Sequence, residues 1–282
     1  MISLIFSIQY CTNADDSDTA IVLIHGFGVG TWRMRPLQKL LNRDWPDRTV
    51  INLDILTGAL SSIFENPERY VRAAADEIRT KTFNFKCIDL VVHSQGGFVG
   101  RSYLQLYSNT GDYPGVRNFI AMSSVQGGYY RNIKLADKII NSNNYQLIVP
   151  TGYWRNPNLS NANSLLNTIN GNNGGPIPGH DQILNLKQFV CFYSYQDEVL
   201  KPPTTSRFDF YDQNLNVVEL ENQNLYVDLG LKQLFDQGRF KTFEFTGFKH
   251  GYFVKQRIND VWTKCLKGLL SGGSQACGSF KQ

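Results

Sequence analysis

The sequence has little of what marks several protein classes. Its 282 residues carry 28 Lys and Arg against 24 Asp and Glu, a formal net charge of only +4 at pH 7. The basic residues are scattered, and no basic run interleaved with aromatics occurs, which argues against a nucleic-acid partner. The five cysteines form no C-x-x-C pair and no His–Cys cluster, so a metal site of the zinc-binding kind is not expected. There are no internal repeats, no heptad pattern and no transmembrane segment. What remains is ordinary globular material, 42% hydrophobic and 18% charged, in which wholesale disorder is not expected. The length accommodates one large α/β domain or two small ones.

The apolar start, Met1 to Cys11, precedes a polar Asp-rich stretch and is too short to cross a bilayer. Residues 1–18 read as a secretory leader or as an N-terminal tail, although a basic start and a clean small-residue cleavage site are missing. Cys87 and Cys191 lie in apolar runs and read as buried free thiols. Cys265 and Cys277 are candidates for a bridge closing a small C-terminal loop in an oxidising compartment. One glycosylation sequon, Asn158-Leu159-Ser160, is compatible with secretion.

From about residue 20 to 125, apolar runs alternate with helical patterns, the order expected of a parallel sheet with crossover helices. Strands are predicted at Ala20–Ile24, Val50–Ile55, Ile88–Val92 and Phe119–Met122. Met34, Leu37, Leu40 and Leu41 recur at helical spacing. Asn66-Pro67-Glu68 opens a helix with a cap, an early proline and an early carboxylate, and its inner face is Val71, Ala74, Ala75 and Ile78. Another helix runs from Phe98 to Tyr107. Residues 126–186 break the rhythm with Asn, Gly and several aromatics, and read as a cap inserted into a single domain spanning 19–282. Regular signals return with a strand at Phe189–Tyr193, a short helix at Leu229–Phe235 and a strand at Phe243–Phe245. A last helix presents Ile258, Val261, Trp262, Cys265 and Leu269 on one face.

The chemistry centres on Leu90-Val91-Val92-His93-Ser94-Gln95-Gly96-Gly97. An apolar strand ending in a serine and two glycines holds that serine on a sharp strand-to-helix turn, its hydroxyl beyond the sheet edge. The glycines let the helix begin close against the strand, and the helix N-terminus offers N–H groups to a developing oxyanion. The usual pattern places a small residue two before the serine; here that residue is Val92.

A serine nucleophile needs a base for its proton and a carboxylate to orient the base. On such a sheet they follow in the order Ser, acid, His, at strand ends. Only His180 and His250 follow Ser94. His250 lies just past a predicted strand and is taken as the base, whereas His180 sits in the cap as a surface residue. Asp197 follows the strand Phe189–Tyr193 and is taken as the acid, with Glu198 its neighbouring substitute. The backbone N–H groups of Phe27, in His25-Gly26-Phe27-Gly28, and of Gln95 would form the oxyanion hole. His25 and His93 are read as supporting or core residues outside the triad.

With these residues in place the chain resembles the palmitoyl-protein thioesterase family, and most of all its palmitoyl-protein thioesterase 2 branch, the lysosomal acyl-thioesterases. The resemblance covers nearly everything after residue 20. It rests on Val22-Leu23-Ile24-His25-Gly26, Ser94-Gln95-Gly96-Gly97, Phe119-Ile120-Ala121-Met122-Ser123-Ser124 and Tyr153-Trp154-Arg155-Asn156-Pro157. It continues through Asp197-Glu198-Val199-Leu200-Lys201-Pro202, Ser206-Arg207-Phe208-Asp209-Phe210-Tyr211 and Leu225-Tyr226-Val227-Asp228-Leu229-Gly230-Leu231-Lys232 to His250. It implies an α/β-hydrolase fold, cleavage of long-chain acyl thioesters without a cofactor, and a lysosomal or other lumenal setting. The family triad falls on Ser94, Asp197 and His250. Three departures stand out: Val92 exceeds the usual residue in size, Asp209 replaces a glycine, and the cysteines largely fail to match the family's disulfide positions.

The resulting reading is a serine thioesterase acting on acylated proteins or acyl-CoA, with cap aromatics such as Tyr153 and Trp154 walling the acyl groove or packing the cap's own small core. A lipase-like carboxylic ester hydrolase would use the same triad. A non-catalytic lipid- or protein-binding member of the fold is less favoured, since no triad residue is missing.

Overall fold

The computed structural model describes residues 11–133, 137, 148–158, 164–172, 175–272 and 277. Six strands build its central sheet: β1 Thr19–Ile24, β2 Val50–Asn52, β3 Cys87–Ser94, β4 Gly115–Ser124, β5 Gln188–Tyr193 and, after a small β6–β7 hairpin (Phe210–Tyr211 and Val217–Val218), β8 Phe240–Glu244. Their order is β2-β1-β3-β4-β5-β8, every neighbouring pair parallel. The chain lays β1 inside, steps outward to β2, then crosses back to β3 and proceeds the other way. That reversal opens a crevice between the C-terminal ends of β1 and β3, where open α/β sheets bind ligands. The expected α/β-hydrolase architecture is the one present.

Side-chain alternation sends each strand's residues to two cores. Ala20, Val22, Ile24, Ile88, Leu90, Val92, Phe119 and Ala121 face one side. Ile21, Leu23, Val91, Ile120, Met122, Val190 and Phe192 face the other. Because helices cover both faces, β1, β3, β4 and β5 are buried along their whole lengths and read as continuous apolar runs. On the first side lie α2 (Pro67–Lys81) and α3 (Gly96–Leu106), on the second α1 (Arg35–Asp44) and the helical segment 258–270. The Asn66 side chain caps α2 by accepting from Arg69 N–H at 2.9 Å, an interaction worth about 1 kcal/mol. Val71, Ala74, Ala75 and Ile78 are all buried as expected.

Several boundaries differ from the sequence reading. Strand β2 stops at Asn52, and Ile55 opens a 3₁₀ turn, Ile55–Thr57, in which Leu56 and Thr57 both have left-handed φ. The helix expected from Leu229 starts at Leu231, because Gly230 at φ +79° interrupts it. The last strand runs Phe240–Glu244, three residues early at its start. Phe245 still donates its N–H to Tyr193 O at 2.8 Å, while its ring packs on Phe192, Phe248 and Phe253. The last helix contains a π turn at Trp262–Leu266, and Trp262 donates to Asp44 Oδ2 at 2.9 Å.

Cys87 is not a free thiol. It opens the central strand β3 at its N-terminal end and is bonded to Cys11, with Cα atoms 5.7 Å apart, while Cys265 is bonded to Cys277 and Cys191 is buried and free. Of the stretch 1–18, residues 1–10 lie outside the described residues; Cys11–Asn13 and Asp16–Asp18 form 3₁₀ turns against the sheet. Of the expected cap 126–186, residues 134–136, 138–147, 159–163 and 173–174 likewise lie outside. The described part is tied to α3. Fully buried Arg101 donates to Asn170 Oδ1 at 2.8 Å and Gln126 O at 3.1 Å, and Gln105 donates to Ile169 O and Pro178 O.

At the N-terminal edge of the sheet, buried Asp89 receives Arg117 through two hydrogen bonds (2.9 and 2.6 Å), Arg48 at 2.9 Å and Asn118 at 2.7 Å. Arg117 also reaches Ala14 O and Asp16, fixing the segment before β1. Removing the carboxylate leaves two nearly buried cations with only half-exposed Asp16 as counter-charge. Asp89→Ala should therefore lower unfolding stability by about 3–5 kcal/mol, read from urea denaturation; a loss below about 1 kcal/mol would contradict this.

Candidate active site

Strand β3 delivers Ser94 with φ +57°, a left-handed conformation that costs a non-glycine residue about 1–3 kcal/mol and needs support from its surroundings. The support is close packing. A Cβ on Gly26 would lie 2.7 Å from Ser94 Cβ, and one on Gly96 would lie 2.5 Å from Ile24 O, so both neighbours must be glycine for the α3 N-terminus to sit against β1. The large Val92 is accommodated on the same principle. A Cβ on Gly100 would lie 2.8 Å from Val92 Cγ1, so bulk gained on the strand is matched by bulk missing from the helix.

Asp197 and His250 come together beside this turn. His250 Nδ1 is 2.8 Å from Asp197 Oδ2, and Asp197 Oδ1 accepts the N–H groups of Val199 and Leu200, each at 2.9 Å. Burial alone would raise the Asp197 pKa. The hydrogen bond and charge of His250, with donation from Ser123 and backbone, outweigh burial and hold it below the usual carboxylate value. Glu198 does not substitute for Asp197; exposed, it accepts the His250 backbone N–H at 3.0 Å. Ser94 is 7% exposed, and its hydroxyl is not hydrogen-bonded to the imidazole among the described residues.

Two further side chains reach His250. Ser123, at the end of β4, donates its hydroxyl to Asp197 Oδ2 and lies 3.1 Å from His250 Nδ1. His93 Nε2 is 3.1 Å from the His250 carbonyl oxygen, with the two rings 4.7 Å apart. A carbonyl only accepts, so His93 carries its proton on Nε2; burial, followed by the nearby His250, pushes its pKa well down and keeps it neutral. The sequence signalled both positions, His93 within the serine motif and Ser123 within the stretch Phe119–Ser124, but attached no contact to either. His25, also lowered by burial, bonds Gly26 O through Nδ1. His180 is half-exposed beside Asp181.

Gln95 caps the N-terminus of α3, where backbone N–H groups lack intrahelical partners. Its side chain is clamped: Nε2 donates to Ser62 O at 2.9 Å, and Oε1 accepts from Tyr153 OH at 2.9 Å. Ser62 Oγ also accepts the N–H of Gly28, next to Phe27, at 2.8 Å. One short helix, Ser61–Phe64, thus ties together the loops carrying Phe27 and Gln95. Tyr153 is buried against Phe98. Trp154 is buried among Tyr129, Tyr130 and Phe210 and donates to Asp137. Exposed aromatics of this edge include Phe27, Trp32 and Phe64, joined by Leu60, on the connections after β1 and β2, and Tyr195 after β5. A cavity of about 700 Å³ lies elsewhere, between Arg79, Phe83, Lys86 and Tyr113 at the opposite end of β3 and β4. Among the described residues no three His, Cys, Asp or Glu side chains converge as metal ligands would.

A family model described as palmitoyl protein thioesterase matches residues 20–250. The chain belongs to the palmitoyl protein thioesterase family. The matched span takes in Ser94 and Asp197 and ends on His250. Among its relatives, Palmitoyl-protein thioesterase 3 of Dictyostelium discoideum is 27% identical over 255 residues, covering 84% of this chain and 87% of that protein. Lysosomal thioesterase PPT2 of Bos taurus is 29% identical over 273 residues, covering 89% and 87%. Two solved structures share the fold at 13% identity and a TM-score of 0.50. The lin2722 product of Listeria innocua covers 87% of this chain and 93% of its own; Bacillus licheniformis lipase BlEst2 in its propeptide form covers 95% and 53%. Membership in the palmitoyl protein thioesterase family makes the chain a thioesterase-type hydrolase. No helix among the described residues is long and apolar enough to cross a membrane.

Because the folded Asp197 pKa is depressed, its ionised form stabilises the fold fully above the unfolded value of about 4 and loses that contribution as pH falls through the lower folded value. Urea stability of wild type and Asp197→Asn should therefore differ at pH 6 and converge as pH falls below about 4. A gap that stays constant down to pH 2 would count against a depressed Asp197.

Proposed function

We propose that this protein is a serine thioesterase that hydrolyses long-chain fatty-acyl thioesters, S-acylated proteins or acyl-CoA, through Ser94, His250 and Asp197. The observation that carries the proposal is the 2.8 Å contact from His250 Nδ1 to Asp197 Oδ2 beside a left-handed Ser94. With Nδ1–H committed to the carboxylate, Nε2 is the nitrogen with a lone pair for the Ser94 proton. The serine oxygen attacks the thioester carbonyl, and the resulting oxyanion is held by the Phe27 and Gln95 N–H groups, a term worth several kcal/mol. The intermediate collapses with loss of the thiol, which carries off the proton held by His250 and needs less help from an acid than an amine would. Water, deprotonated by His250, then releases the fatty acid from Ser94.

The rim of Phe27, Trp32, Leu60 and Phe64 lies on the loops bordering Ser94 and suits the acyl chain. It does so better than Tyr153, whose hydroxyl is taken by Gln95, or Trp154, enclosed in its own aromatic cluster. Two disulfides favour an oxidising compartment. Together with relatives named lysosomal thioesterases, they support a lysosomal or other lumenal location.

Hydrolysis of palmitoyl-CoA and of a matched oxygen ester, by wild type and Ser94→Ala, tests the proposal. The expected result is thioester turnover well above ester turnover, falling by at least about a thousandfold in Ser94→Ala. Serine-dependent turnover of the ester alone would assign a lipase-like activity instead. A folded protein whose Ser94 resists a fluorophosphonate probe would favour a binding role.

A further inference from the structure

We infer that Ser123 is a positioning residue for the same reaction, its hydroxyl bridging Asp197 and His250 and fixing the imidazole against the carboxylate; the inference rests on the triad proposed above. Three independent features single out this serine. Its hydroxyl donates to Asp197 Oδ2, the oxygen that His250 Nδ1 also contacts, and lies 3.1 Å from that nitrogen. Its backbone is left-handed, φ +44°, where serine is disfavoured. It is also the unpaired residue of a sheet irregularity: His93 pairs with Met122 and Ser94 with Ser124, so Ser123 has no partner in the ladder. Bulges of this kind re-aim a side chain beside active sites.

The bond inventory explains what the hydroxyl does. Asp197 Oδ1 accepts two backbone N–H groups and Oδ2 accepts Ser123 and His250, which leaves the carboxylate no freedom to turn. A hydroxyl both donates and accepts, so Ser123 gives its proton to Asp197 and takes part of the His250 Nδ1–H. When the imidazole accepts the Ser94 proton, both oxygens already face its Nδ1–H. Without Ser123, one of the two carboxylate oxygens loses a donor and the imidazole loses its second acceptor. Ser123 never touches the substrate and acts only through this pair.

Ser123→Gly separates this role from a structural one, because glycine removes the hydroxyl and also relaxes the left-handed backbone. Ser123→Ala removes the hydroxyl and keeps the backbone conformation disfavoured. Palmitoyl-CoA kinetics, fluorophosphonate labelling rates at Ser94 and melting temperatures are measured for both, beside Ser94→Ala. Ser123→Gly should melt no lower than wild type, keep KM within about twofold, and lose kcat and labelling rate by about tenfold, the size of one hydrogen bond to a charged group. Ser123→Ala should show the same kinetic loss. Wild-type kcat and labelling in Ser123→Gly, with Ser94→Ala inactive, would overturn the inference and leave the triad standing. Full turnover by Ser94→Ala would overturn the triad, and the role of Ser123 with it.

Discussion

The constraint on which this structure turns is the contact between the start of α3 and the ends of β1 and β3. A helix can begin directly beneath a strand end only if the backbones approach more closely than side chains permit, and Gly26 and Gly96 supply that room. The same approach holds Ser94 left-handed and presents the N-terminus of α3 beside it. It places the serine at the crevice where the strand order reverses, next to the loop carrying Phe27. The proposed nucleophile and oxyanion donors therefore derive from one packing event. Val92 shows how that event tolerates variation: a larger residue on the strand is admitted because Gly100 faces it.

The proposed acid and base are held differently, by polar contacts between loops. Every polar handle of His250 near the backbone is engaged: its N–H by Glu198, its carbonyl by His93, and its Nδ1 by Asp197 and Ser123. These partners come from β3, β4 and the loop after β5. Strand ends that differ in direction by a few degrees of twist would separate the groups, so the sheet's register and the bulge at Ser123 are part of the site's geometry. Nearby, Ser206 joins the ends of β4 and β5 by accepting from Ser124 N–H and donating to Phe192 O.

Much of this was legible in the sequence, for a physical reason. Parallel strands buried on both faces leave apolar runs, and β1, β3 and β5 were visible as such. Asn66-Pro67-Glu68 advertises a helix start through local capping chemistry. Ser94, Asp197 and His250 could be nominated because chain order and strand ends restrict where each can lie, and the fold brings Asp197 and His250 into contact. What the sequence hid depends on contacts between distant segments. Pairing Cys11 with Cys87 requires knowing that the segment before β1 folds back to the N-terminal end of β3, 76 residues away. Ser123 looks like any strand-end serine until the pairing of β3 with β4 leaves it unpartnered. Tyr153 looks like a groove aromatic, and only the fold shows its hydroxyl turned inward to Gln95. Asp209, unexpected beside the family pattern, is buried and bonded to Arg207 and the Leu220 N–H, so it closes the β6–β7 hairpin region rather than entering the site.

The two edges of the sheet consequently do opposite things. At the N-terminal edge lie the Cys11–Cys87 bond and the Asp89–Arg117–Arg48 cluster, cross-links that secure the chain without serving the reaction. At the C-terminal edge lie left-handed Leu56, Thr57, Ser94 and Ser123, together with exposed apolar side chains, features that lower stability locally. Strain at one edge is sustainable as long as contacts elsewhere in the fold offset it. Under the proposed mechanism, the Ser94 and Ser123 conformations are the part of that strain the reaction would use.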